Sequence, residues 1–213
     1  MSVMRSVLAE ATLEDLDRLA AYLALFVRPG DLVALDGDLG AGKTTFARAL
    51  ISHVSNGAVG EVPSPTFTLL QSYDCGRLPV HHFDLYRLKD AGDARELGLE
   101  AALGDGVALV EWPERLGDAA MPADRFVIAL DPAGAPDHRT LTLAGHGAAA
   151  ARVARLRDMI AFVATSGYGD ARPAFLQGDA SRRAYARLHR SGGTTLVLMD
   201  SPRQPEGPPV RDG

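Results

Sequence analysis

Between Thr12 and Phe26 apolar residues recur at Leu13, Leu16, Leu19, Ala20 and Leu23, the spacing of one face of a helix. Thr12 and Asp15, three positions apart, form a capping box that opens this helix, and Pro29-Gly30 closes it. The pattern then changes. Asp31 to Leu35 is a short apolar run, a buried strand by its length, and it passes straight into the glycine-rich stretch Gly37 to Thr44. A second helical pattern follows from Thr44 to about Val54. Leu78 to Asp84 and Val107 to Glu111 read as strands that each end on an acid, with a helix over Ala91 to Leu103 between them. Arg125 to Asp131 and Thr140 to Ala144 read as two late strands joined by the polar turn Pro132 to His138. Beyond Gly145 the character shifts to alanine and arginine, with Val153, Leu156, Met159, Ile160 and Val163 at helical spacing. Ser166-Gly167-Tyr168-Gly169 reads as a hinge into a separate unit from Phe175 to Met199, followed by a tail rich in Pro and Gly.

At 213 residues with 46% hydrophobic and 23% charged positions, the chain has globular composition, which excludes wholesale disorder. A single cysteine, Cys75, excludes an internal disulfide and a cysteine-only metal site. No apolar run reaches the roughly 18 residues that span a bilayer, and acids interrupt the first 20 residues where a signal peptide needs an apolar core. These features predict a cytoplasmic protein with no membrane association. Charge is uneven. Residues 1–146 hold 12 basic against 21 acidic side chains, a net of −9, and residues 147–213 hold 10 against 6, a net of +4. The front region therefore repels a phosphate backbone rather than gripping it unaided.

Gly37 to Thr44 fits G-x-x-x-x-G-K-[ST], with a strand before it and a helix after it. Glycines let backbone N–H groups curl around phosphate oxygens, and the helix N-terminus adds its partial positive charge. Lys43 can reach β- and γ-phosphates, and the Thr44 hydroxyl can complete a Mg²⁺ shell. Such a loop needs an acid nearby, and Asp84 and Glu111 both stand where strands of an open α/β sheet deliver side chains to a ligand crevice. Each alone can also be a cap or a surface carboxylate. His81 and His82 point to opposite faces of a strand; His82 shares a face with Asp84, which suits either orienting that acid or a structural role. Trp112 follows Glu111 and serves packing or ligand contact. The loop Ser64-Pro65-Thr66-Phe67-Thr68 serves as a nucleotide-sensing switch or as a turn into a strand.

Five stretches in this order carry a resemblance: G-D-L-G-A-G-K-T-T at 37–45, S-P-T-F-T-L at 64–69, H-F-D-L-Y-R-L at 82–88, E-L-G-L-E at 96–100 and L-V-E-W-P-E at 109–114. Over roughly residues 8–145 the chain resembles the TsaE (YjeE) family, bacterial ATPases needed for threonylcarbamoyl modification of adenosine beside the anticodon of tRNA. The resemblance implies an α/β P-loop NTPase with a mainly parallel central sheet flanked by helices, here with a short C-terminal extension. It implies ATP and Mg²⁺ as cofactors, and TsaB and TsaD as partners through which tRNA is met only indirectly. By motif, Gly37, Asp38, Leu39, Gly40, Ala41, Gly42, Lys43, Thr44 and Thr45 hold the ATP phosphates. Thr44, Asp84 and Glu111 serve the metal, with Glu111 as ligand or water polariser and Asp84 as a Walker-B-like acid. Lys43, Asp84, Glu111, Thr66 as γ-phosphate sensor and Trp112 form the catalytic set. The adenine is expected near Ala9 and Glu10, in the stretch Ala9 to Thr12, and near Arg139.

The tail resembles something else. Phe175 to Tyr185 and Leu196 to Pro202 are similar to the opening of an aminoglycoside-phosphotransferase-type sugar kinase. Such a kinase needs a C-lobe with its catalytic Asp, so the expectation is a truncated start without kinase activity. The expected division is a TsaE-like P-loop ATPase domain at 1–146, a helical linker and hinge at 147–169, and the start of a phosphotransferase-like N-lobe at 170–213. Three other readings compete with the ATPase subunit. An independent small-molecule kinase wants a basic lid, but residues 85–106 hold only Arg87, Lys89 and Arg95 among acids. A GTPase wants an N-K-x-D strand end, and the only asparagine, Asn56, precedes glycine. A nucleotide-gated binding module overlaps the ATPase reading and is separated from it by whether partners raise turnover.

Overall fold

The computed structural model describes residues 3–88, 96–117, 120–135, 137–177, 183–190 and 192–201. In chain order the elements are β1 (Val3–Ala11), α1 (Leu13–Ala24), β2 (Leu32–Asp36), α2 (Lys43–Val54), β3 (Leu70–Asp74), β4 (Pro79–Asp84), α3 (Leu99–Asp105), β5 (Val107–Glu111), β6 (Arg125–Pro132), β7 (Arg139–His146), α4 (Ala149–Val163), β8 (Arg172–Leu176), β9 (Ala184–His189) and β10 (Thr195–Asp200). A seven-stranded sheet runs β1-β7-β6-β2-β5-β4-β3. Its four central strands, β6, β2, β5 and β4, are mutually parallel, and antiparallel strands close both edges.

The central strands are apolar on both faces because helices cover both. Val33 and Leu35 of β2 pack with Phe46, Leu50 and Ile51 of α2, Leu23 of α1 and Val153 and Leu156 of α4. Leu32 and Ala34 face the other way, toward Phe83, Leu85, Leu99 and Ala102. Thr12 caps α1 as its sequence predicts: Thr12 Oγ1 accepts from the Asp15 N–H (3.2 Å), and Asp15 Oδ2 accepts from the Thr12 N–H (3.0 Å).

The stretch expected as a linker forms α4, and its apolar side joins the main core through Ala149, Val153 and Leu156. Arg152 fastens it with a bidentate pair to Asp31 at the foot of β2 (2.5 and 2.6 Å) and lies 4.7 Å over the Phe126 ring. The expected helix over Ala91 to Leu103 lies partly outside the described residues; within them, α3 starts only after Gly98, whose left-handed φ of 81° interrupts any longer helix. Strands β1 and β3 had no counterpart in the sequence pattern. Past the expected hinge, β8, β9 and β10 form a separate antiparallel sheet. Arg172 ties it to α1 through Asp17 (2.8 Å) and Glu14 (3.2 Å), and Arg155 of α4 pairs with Asp200.

Candidate functional site

β2 ends at Asp36, and the chain turns through the glycine-rich loop into α2 at the C-terminal edge of the parallel strands, where open α/β sheets bind ligands. Gly37 has φ 138°, and a Cβ there lies 2.5 Å from the Leu130 carbonyl oxygen, so only glycine passes under β6. Gly40 (φ 78°) and Gly42 (φ 111°) complete the curl, with Gly42 at the N-cap of α2. Leu39, at the tip, is 77% exposed.

Lys43 is buried. Its ammonium donates to the Gly37 oxygen (2.6 Å) and the Asp38 oxygen (2.8 Å) and sits 3.6 Å from the centroid of the Trp112 ring. Burial pushes its pKa below the ordinary lysine value, while Glu111, Glu114, Asp84 and Asp36 pull it back up. Trp112 reaches this position because it adopts a left-handed backbone, φ 61° and ψ 53°, just after β5. That conformation costs a non-glycine residue about 1–3 kcal/mol and marks functional sites. Tyr86 backs the indole at 5.0 Å.

The two acids end adjacent parallel strands in register, Asp84 beside Glu111. Both are buried. Glu111 Oε2 accepts from the Thr44 hydroxyl at 3.0 Å, and its Oε1 lies 2.9 Å from His82 Nε2. Asp84 Oδ2 accepts from Thr66 Oγ1 at 2.8 Å and from Ser64 Oγ at 3.4 Å, and Oδ1 accepts from the Tyr86 N–H at 3.1 Å. His82 therefore serves Glu111, not the acid on its own strand. The 64–68 loop, by contrast, is latched to Asp84.

On the other side of the loop a cavity of about 240 Å³ is lined by Ala11, Thr12, Leu13, Leu16, Gly40, Ala41, Gly42, Thr45, Leu130, Asp137, Arg139 and Leu141. Its lining is mostly apolar, and it lies beside the phosphate loop. Arg139 Nε donates to the Ala41 oxygen (3.0 Å) and fixes one wall. Ala9 and Glu10 do not line it; Glu10 turns away and accepts from the Gly134 N–H at 3.0 Å. Sequence reasoning also missed Tyr86, Leu16, Leu130 and Leu141 as site residues, and named Ser64 only as part of the 64–68 loop. Only Ser64 and Tyr86 carried a signal, through their neighbours Thr66 and Asp84.

A family model described as threonylcarbamoyl adenosine biosynthesis protein TsaE matches residues 10–141. The chain belongs to the TsaE family. A "tRNA threonylcarbamoyladenosine biosynthesis protein TsaE" of Bacillus subtilis is 39% identical over 135 residues, covering 63% of this chain and 82% of that protein. Its counterpart in Rickettsia felis is 46% identical over 101 residues, covering 47% of this chain and 58% of that protein, so the match spans under two thirds of that relative. The crystal structure of Bacillus subtilis YdiB superposes with a TM-score of 0.59 at 31% identity, covering 76% of this chain and 97% of that one. These relatives are named for tRNA threonylcarbamoyladenosine biosynthesis, and the family match takes in the phosphate loop, Gly37 to Thr44, and the acids Asp84 and Glu111. Among the described residues no helix is long and apolar enough to cross a membrane.

Proposed function

We propose that this chain is the Mg²⁺-dependent ATPase of the cytoplasmic machinery that makes threonylcarbamoyladenosine in tRNA, weak alone and dependent on TsaB and TsaD. The observation that carries the reading is the Thr44–Glu111 contact at the mouth of the phosphate loop, 3.0 Å between the loop hydroxyl and an acid from the neighbouring strand. The donor set suits Mg²⁺: hydroxyl and carboxylate oxygens from Thr44, Glu111 and Asp84, hard ligands that leave room for phosphate oxygens and water. Thr44 and Glu111 would hold the ion, with Asp84 close by. Bound there, Mg²⁺ supplies charge neutralisation at the β- and γ-phosphates.

The chain's own residues do the rest. Lys43 exchanges the Gly37 and Asp38 oxygens for phosphate oxygens, and the backbone N–H groups of the loop hold the remainder. Glu111 holds or polarises water at the γ-phosphate. Thr66 leaves Asp84 to sense that phosphate, which moves the 64–68 loop. Trp112 covers Lys43 and excludes solvent. With a net charge of −9 in residues 1–146, tRNA contact falls to the partners. The test is ATP hydrolysis by the purified chain, alone and then with a cognate TsaB–TsaD pair and tRNA. Slow turnover that rises on addition is expected; equal turnover in both removes the partner-dependent role.

A further inference from the structure

We propose that His82 is the positioning residue of Glu111: from β4 its Nε2–H holds one carboxylate oxygen so that the other faces Thr44. The proposal rests on the reading of Glu111 as the metal- or water-holding acid. Because β4 and β5 run parallel with His82 beside Leu109 and Asp84 beside Glu111, the imidazole reaches two residues forward along β5. His82 is fully buried and Glu111 is 3% exposed, so no water takes over this bond. The His82 Nε2 bond goes to Glu111, while Asp84 accepts from Thr66, Ser64 and the Tyr86 N–H.

The second observation is the opposite edge of the ring. His82 Nδ1 is buried and has no hydrogen-bond partner among the described residues. The network therefore assigns the neutral Nε2–H tautomer, since an N–H at Nδ1 would be a buried donor without an acceptor. Even a bare buried acceptor costs about 1–3 kcal/mol, and a phenylalanine would fill the same space without it. Against that cost stands the Nε2–H bond to the buried Glu111 carboxylate, which a phenylalanine would forfeit. What the imidazole supplies is orientation: a glutamate side chain left free loses its single geometry, and ligand partners of this kind typically change metal affinity about 10- to 100-fold when removed.

Three variants of the full chain test this: His82→Phe, which keeps the volume; His82→Gln, whose amide nitrogen sits near the Nε2 position; and His82→Asn, whose amide nitrogen sits near Nδ1. The readout independent of hydrolysis is the gain in affinity for a fluorescent ATP analogue when Mg²⁺ is added. Without Mg²⁺ all three bind the nucleotide within about twofold of the wild type. With Mg²⁺, His82→Phe and His82→Asn lose about tenfold of the gain, and kcat falls with little change in KM; His82→Gln restores most of both. In the wild type, ¹⁵N spectra place the His82 proton on Nε2. Should His82→Phe keep the full Mg²⁺ gain and kcat, or should Gln and Asn fall equally, the positioning role is overturned. A wild type whose affinity ignores Mg²⁺ overturns the underlying metal reading instead.

Discussion

Replacing Lys43 with Met separates binding from stability and gives the two opposite treatments. The ammonium makes two charge-assisted hydrogen bonds, at 2.6 and 2.8 Å, and one ring contact at 3.6 Å. In the ATP complex these are exchanged for bonds to phosphate oxygens, each worth about 1.5–3 kcal/mol when a charged group takes part. Losing even one or two of them weakens ATP by about 3 kcal/mol, roughly 100-fold in Kd. Stability behaves differently. The depressed pKa means that burial works against the charged form, so methionine relieves that cost while losing the hydrogen bonds and a cation–π contact of about 1–2 kcal/mol. Asp38 is exposed, and water can satisfy its freed carbonyl. These contributions oppose each other, so the unfolding free energy is expected to change less than the ATP affinity does. Calorimetric titration with ATP and urea unfolding of the same preparation measure both. An unchanged Kd in a folded Lys43→Met protein refutes the phosphate assignment; a loss of several kcal/mol in stability with ATP binding proportionately preserved makes Lys43 a structural residue.

Two further outcomes follow from the packing. Cys75 is 5% exposed, and burial pushes its thiol from 9.0 up to about 11. A raised folded pKa means that its contribution is fully present below pH 9 and is lost as pH rises through about 11, on the order of 2 kcal/mol; urea unfolding from pH 8 to 11 should show a steeper decline in the wild type than in Cys75→Ala, and parallel curves would contradict the burial argument. A chain ending at residue 169 keeps α4 and its Arg152–Asp31 clamp; it loses the partly exposed Arg172 and Arg155 pairs, which are worth little, together with the Asn56–Phe175 hydrogen bond, the Arg77–Phe175 ring contact and the packing of Val163 on Ala171 and Leu188 at the far end of α4. It should bind ATP within about twofold of the full chain, and unfolding of the truncated protein would show that residues 170–213 are part of the ATPase core.

Much of the site was legible because its chemistry is local in sequence. The phosphate loop, the acids ending β4 and β5, and the Thr12–Asp15 box are all read from neighbours within a few residues. What escaped notice depends on pairing across the fold. β1 and β3 are edge strands with one partner each, so much of their surface meets solvent and their apolar alternation is blurred. Alternation along one strand puts His82 and Asp84 on the same face, so spacing alone points either to Asp84 or to a structural role. That Glu111 lies closer is a consequence of the parallel register with β5, which no spacing within one strand reveals. The left-handed turn at Trp112 is equally invisible, because a tryptophan is among the last residues to suggest it. α4 is legible as a helix from the spacing of Val153, Leu156, Met159, Ile160 and Val163, but the surface it covers is not, because β1 lies 100 or more residues away in sequence.

The most direct test of the site is Mg²⁺-dependent ATP turnover by Glu111→Gln beside the wild type, each measured with the same TsaB–TsaD preparation. The substitution keeps the side chain's size and a hydrogen-bond partner for Thr44 and His82, but removes the negative charge. Glu111→Gln is predicted to bind ATP within a few-fold of the wild type when Mg²⁺ is absent, to lose at least the roughly tenfold of the Mg²⁺ gain that His82→Phe loses, and to hydrolyse ATP about 100-fold more slowly or worse. Turnover at the wild-type rate would contradict the account and move the role to Asp84.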